Sequence, residues 1–365
     1  VTSITAQPDT STLVRKALRL RAQAWIARLY RHEILTARTV RGMQLEAAQK
    51  FDEVVSRPLI ELVSSRLSMF DQRGASISMD TIPELARLRD EIFAAAKNGT
   101  DAVRRLSTER LFDFTRAETE WVADVTKKTL RIAAARPTDA HVESVVESQP
   151  FLGDNTEQWF EKMVAGPTGE RVKAWVQTGI QRGLTTDEVV RGLRGSRKTG
   201  YTDGIVTGQP RAAVQAVVRT AATHASNVAR TESFKMLGVK TWRFVATLDS
   251  KTSIQCAAND GKTFPVGKGP IPPLHPNCRS TVVPDFGDPV GERASVDGPV
   301  PADVTFPEWL ETQDRSVQDE VLGRTKANAW RNGQITIEQM LGRDLEPLTI
   351  AELRSMDILP PAEDE

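Results

Sequence analysis

Val14, Leu18, Ala22, Trp25 and Leu29 recur at spacings of three and four residues, which lays one apolar stripe along a helix. The same period predicts further helices from Gln44 to Phe70, Thr81 to Lys97 and Thr100 to Ala135. Asp80-Thr81-Ile82-Pro83-Glu84 reads as a capped helix start with an early proline, and Gly74 and Asn98-Gly99 read as breaks. Long antiparallel helices joined by short connections are therefore expected over residues 1–150. Past Arg136-Pro137 and Gln149-Pro150 the texture changes to shorter helices, around Trp159-Phe160 and from Gly169 to Arg182. Gly183-Leu184-Thr185-Thr186-Asp187-Glu188 reads as a helix stop and a capped restart, Gly195 to Gln209 as a loop, and Pro210 to Leu237 as a strong helix closed by Gly238. Alternation then takes over. Lys240 to Thr247 predicts a strand, Ser280 to Pro284 a second, and Asp260-Gly261 the turn in the loop or hairpin from Cys256 to Cys278.

The expected class is mainly α with a small α+β module. The expected divisions are a helical arm or bundle at 1–150, a compact module at 151–284, a Gly/Pro linker at 285–306, and a small helical unit with an acidic tail at 307–365. A length of 365 residues favours two or three domains and suffices for a core without disulfide staples. With two cysteines the chain is no disulfide-rich secreted scaffold. No apolar run approaches the ~18 residues of a spanning helix. Val1 to Thr12 has no apolar leader core, so synthesis in a reducing cytoplasm, with no membrane contact, is expected.

The 48 basic and 48 acidic residues cancel, but they are unevenly placed. Arg15, Lys16, Arg19, Arg21, Arg28, Arg31, Arg38 and Arg41 share their stretch with one acid, Glu33, a local balance of +7. From Asp285 onward, 18 acids stand against 7 bases, a balance of −11. Such separation suits charged partners, contact between the two ends, or simply two solvated faces of opposite sign. Arg15, Lys16, Arg19, Arg21, Arg28 and Arg31, near Trp25, Tyr30 and His32, suit phosphates without sequence preference or an acidic protein surface. No zinc-finger, RNA-recognition or helix-turn-helix pattern accompanies them.

Chemically distinctive residues gather between Asp249 and Cys278. Cys256, His275 and Cys278 offer two thiolates and an imidazole that suit zinc, with Asp249 as a fourth ligand. Two other readings stand beside it. One is a disulfide closing a loop of about 22 residues, worth roughly 3 kcal/mol; the other is plain packing of small buried thiols and a hydrogen-bonded imidazole. A thiol-protease triad of Cys256 or Cys278 with His275 and Asp249 is the enzymatic alternative. The close, proline-bounded spacing of His275 and Cys278 leaves such a triad little room for a substrate. Gly192 to Gly208 lacks the GK[ST] ending of a phosphate loop. Catalysis is not expected.

The ordered set Trp242, Thr247-Leu248-Asp249-Ser250-Lys251-Thr252, Cys256, Asp260-Gly261 and Pro272-Pro273-Leu274-His275-Pro276-Asn277-Cys278-Arg279 resembles the phage head morphogenesis family of minor head proteins, of the Mu F and SPP1 type. Val218-Arg219-Thr220 and Asn227 through Arg230 are similar to the helix preceding that core. Phe306-Pro307-Glu308-Trp309 and Trp330-Arg331-Asn332-Gly333 are similar to an extension found in one branch. Ala221 departs from a glutamate common in relatives, and Ser253 and Ser280 stand where relatives carry further cysteines.

The resemblance implies a minor capsid protein of a tailed bacteriophage. Made in the host cytoplasm, it would sit in several copies inside the head near the portal vertex and act in procapsid assembly and DNA packaging or ejection. The portal would be its main partner, with the major capsid or scaffolding protein and packaged DNA as further contacts. Trp242, Asp249, Thr252, Asp260, Gly261, His275, Pro276, Cys278 and Arg279 would be structural. The alternative is a DNA-binding or metal-dependent nucleic-acid-processing protein delivered with the genome.

Overall fold

The computed structural model describes residues 10–70, 83–287 and 291–360. The chain is mainly α-helical with a small α+β module and divides into two compact units. One comprises residues 38–114 and 143–222, the other residues 1–37, 115–142 and 223–365.

Helix α1 (Thr10–Phe51), a π-helical turn (Asp52–Ser56), α2 (Arg57–Phe70) and α3 (Pro83–Leu130) open the chain. Then come α4 (Asp139–Ser148), α5 (Thr156–Phe160), α6 (Gly166–Gln181), α7 (Thr186–Arg194) and α8 (Gln209–Met236). The first unit is helix packed on helix. Leu59, Val63 and Leu67 of α2 and Leu85, Leu88 and Ile92 of α3 are buried at the three-and-four spacing, and α2 also lies against α7. The expected break at Asn98-Gly99 is absent, for α3 runs straight through it. The reason is steric: a Cβ on Gly99 would lie 2.3 Å from the Val54 carbonyl oxygen, so glycine lets α3 approach the π-helical turn. Gly192 plays the same part under Trp175, whose Nε1 donates to Val189 O at 2.9 Å. The capped restart is found as read, with Thr185 accepting from Glu188 N and the Glu188 side chain returning to Thr185 N. The expected signals at Gly74 and at Asp80 to Ile82 lie outside the described residues.

The other unit holds the strands β1 (Thr241–Val245), β2 (Thr263–Pro265) and β3 (Thr281–Pro284), with the short helix α9 (Ile254–Asn259) between the first two. The sheet order is β2-β1-β3, antiparallel throughout, with Trp242 opposite Phe264 and Pro284. Both expected strands are present. Trp25, Ile26, Leu29 and Tyr30 of α1 join Phe234, Trp242, Phe244, Val282 and Val283 in one core. A second core gathers Leu248, Ala257 and Ala258 with Phe306, Trp309, Leu310 and Met340. Phe306, Trp309 and Leu310 belong to α10 (Phe306–Glu311) and Met340 to a 3-10 turn (Glu338–Met340), while α11 (Arg315–Leu322), α12 (Arg324–Arg331) and α13 (Ile350–Ser355) add Leu322, Ala327, Ala329 and Leu353.

Residues 285–306, expected as a Gly/Pro linker, contain a hairpin of β4 (Glu292–Ser295) and β5 (Gly298–Pro301). Arg293 explains the difference. Its guanidinium is buried on Asp260, which ties this Gly- and Pro-rich stretch to the module instead of leaving it solvated.

Candidate functional site

The motif segment follows β1. Asp249 turns the chain by accepting from Lys251 N at 2.9 Å, and Thr252 Oγ1 donates to Thr247 O at 2.5 Å. Ser253 caps α9, accepting from Cys256 N at 3.3 Å, which fixes Cys256 in the first turn of that helix. Asp260 ends α9, and Gly261 follows at φ 78°, donating from N–H to Phe244 O at 3.0 Å. The loop then runs through Pro272 and Pro273 to His275, whose carbonyl accepts from Cys278 N at 3.2 Å. Trp242 is fully buried beside this loop and donates from Nε1 to Lys268 O at 3.1 Å.

Two carboxylates organise the segment. Asp249 receives both terminal nitrogens of Arg279, Nη2 to Oδ1 at 2.6 Å and Nη1 to Oδ2. This contradicts the expectation of Asp249 as a fourth ligand to the thiol cluster, because its oxygens are turned to the guanidinium. Asp260 is more deeply enclosed. It accepts from Ala246 N and Phe306 N, each at 2.7 Å, and from Arg293 Nη1 and Nη2, each at 2.9 Å. One buried carboxylate thereby joins β1, the hairpin and α10. The charge of Asp260 is met by an equally buried guanidinium, whose remaining hydrogen bonds go to Val304 O at 2.8 Å and to Ala246 O.

Cys256, His275 and Cys278 do come together. Cys256 Sγ lies 3.6 Å from Cys278 Sγ and 3.4 Å from His275 Nε2, and all three donor atoms lie within 4.8 Å of one another. The sulfurs are two free thiols at that separation, both buried. His275 Nδ1 lies 2.8 Å from Pro276 O. The hydrogen bond between the thiols pushes Cys256 well up, with burial adding to it. The same bond, helped by His275, holds Cys278 well below the ordinary thiol range despite burial. Burial lowers His275, but its contacts with Cys278 outweigh this and leave it raised.

A buried ionic network that the spacing of residues did not announce lies nearby. Arg230 on α8 is completely enclosed; it pairs with Glu33 of α1 and, at 3.4 Å, with Glu118 of α3, and it donates to Thr281 of β3. His32 Nε2 meets Glu118 at 2.7 Å and its ring stacks on Trp121 at 3.5 Å. Asn227, one turn before Arg230, accepts from Val282 N at 3.1 Å and so fastens α8 to the sheet. The sequence signal was present in Asn227 through Arg230. What was missing was the carboxylate partners, which lie more than a hundred residues away in sequence.

Among the basic candidates on α1, Arg19 and Arg31 are exposed and Arg21 is half-buried; the side chains of Arg15 and Lys16 lie outside the described residues. Arg28 and Arg31 line a groove of about 350 Å³ with Lys128 on α3, floored by His32, Leu35, Trp121 and Val125. Lys128 is paired there with Asp124 at 2.6 Å. Glu33, the lone acid among these cations, is turned inward to Arg230, so the outward face of α1 stays basic.

Residues 170–283 match the family described as Phage Mu protein F like protein. The match takes in α8, the sheet, the Cys/His cluster and Arg279, and it identifies a domain of the phage head morphogenesis, or minor head, protein family. The likeness is confined to these residues, and it suggests a phage head morphogenesis protein. No curated protein matches, and no solved structure matches. Among the described residues, no helix is long and apolar enough to cross a membrane.

Proposed function

We propose that the protein is a minor capsid component that docks at the portal vertex through the basic face of α1 and acts in procapsid assembly and in DNA packaging or ejection. On this reading the Mu F-like motif is architecture and performs no catalysis. The observation that carries it is the internal use of the motif's charges. Asp249 is spent on Arg279, and Asp260 on Arg293 and two backbone N–H groups. A charge tied off in this way holds segments in register.

Docking through α1 is supported by the outward Arg28 and Arg31 beside exposed Leu20, Ile34 and Leu35. Cations interleaved with large apolar side chains suit an acidic protein surface, which supplies both charge and apolar area. The groove under Arg28 and Arg31 favours a second reading, contact with packaged DNA, since Trp121 and His32 give it an aromatic floor. Capture on immobilised cognate portal tests the first reading. Binding should be firm at low ionic strength and fall steeply as salt rises, because exposed charges are screened. Binding indifferent to salt would remove the electrostatic account, and capture of DNA in place of portal would favour the second reading.

A further inference from the structure

We infer that Cys256, His275 and Cys278 form a zinc site that staples the Pro-rich loop of the Mu F-like module to α9. A tetrahedral zinc ion with Zn–S near 2.3 Å and Zn–N near 2.0–2.1 Å requires donor atoms about 3.8 Å apart between sulfurs and about 3.6 Å apart between sulfur and nitrogen. The separations found are 3.6 Å for Cys256 to Cys278 and 3.4 Å for Cys256 to His275, both near coordination size, and all three donor atoms lie within 4.8 Å of one another. A disulfide needs sulfurs near 2.05 Å, far closer than these stand.

The imidazole is also prepared. Nδ1 faces the Pro276 carbonyl at 2.8 Å and donates its proton there, which leaves the Nε2 lone pair directed at the thiols. This is the arrangement by which a metal-bound histidine is held in tautomer and orientation. Cys256 is fixed by the Ser253 cap of α9, and Cys278 by the Thr223 hydroxyl of α8, which donates to its carbonyl at 2.6 Å. Three ligands arrive from two segments, Cys256 from α9 ahead of β2, and His275 and Cys278 from the loop between β2 and β3. Two thiolates and one neutral imidazole balance a divalent ion, and binding releases the two thiol protons to solvent. The half-exposed edge at His275 leaves the fourth position to water.

The test is elemental analysis of the full chain purified without chelator, paired with a thiol count and a thermal melt. One zinc per chain is expected, lost on chelation together with a fall in melting temperature. Cobalt substitution should give a thiolate-to-metal charge-transfer band. His275→Ala and Cys278→Ser should each lose the metal, whereas Asp249→Asn should retain it, since that carboxylate belongs to Arg279. Should Cys278→Ser fail to fold, His275→Ala and chelation of the wild type still decide the matter. No metal after incubation with zinc, a disulfide in the native chain, or full metal content in the His275→Ala variant would overturn the assignment. The inference concerns the module named under the proposed function, but a metal-free protein that still captures portal leaves that function standing. Zinc without portal capture contradicts the function alone.

Discussion

Arg293 and Asp260 form the most enclosed ion pair of the motif, and their energetics follow from what removal leaves behind. Asp260→Asn keeps the shape but strands a buried guanidinium, so a loss of about 3–5 kcal/mol in unfolding free energy is expected by urea denaturation. A change under about 1 kcal/mol would mean the pair is not enclosed as described. The Arg230 network makes a different, pH-dependent prediction. Burial alone would raise Glu118, but His32 and Arg230 outweigh it and hold its carboxyl below the ordinary range. A group depressed in the folded state contributes stability above its unfolded value, and that contribution is lost as pH falls through the folded value. Glu33 opposes this trend, for burial raises it against the pull of Arg230. The comparison is therefore between wild type and Glu118→Gln. Urea midpoints taken downward from neutral pH should fall more steeply in wild type than in Glu118→Gln. Parallel curves would deny Glu118 its role.

At the scale of elements, two helical glycines should respond to alanine with opposite sign. Gly42 in α1 has open space where a Cβ would stand, so Gly42→Ala should stabilise by about 0.5–1 kcal/mol through backbone entropy. Gly99 in α3 faces the Val54 carbonyl at 2.3 Å from an added Cβ, so Gly99→Ala should destabilise by about 1–3 kcal/mol despite the better propensity. Thermal midpoints of the two variants check this, and stabilisation by both would show that α3 does not approach the π-helical turn. The same glycine shows where local reading stops. Asn98-Gly99 has the chemistry of a break, and only the neighbouring backbone reveals why it sits mid-helix. The helices, the caps at Thr185 and the strand around Trp242 were legible because period and capping are local properties. The β4–β5 hairpin was not legible, since its anchor is a pairing between Arg293 and Asp260, 33 residues apart.

For the whole molecule, the motif residues divide by reach. Cys256, His275 and Cys278 were read as a set from spacing, and the fold brings their donor atoms together. Asp249 sat equally close in sequence yet serves Arg279, a choice that depends on where the β3 approach points its side chains. Glu33, Glu118 and Arg230 come from three distant helices, so no short-range pattern could have joined them. Their effect on the molecule is to withdraw the one acid from the basic stretch of α1.

That withdrawal leaves an outward face on which the proposed docking depends. The direct measurement is capture of wild type and of the Arg28→Glu/Arg31→Glu variant on cognate portal at low salt, with circular dichroism confirming that both are folded. The account predicts firm capture of wild type and its loss in the variant. Equal capture of the two proteins, or no capture of either, would contradict it.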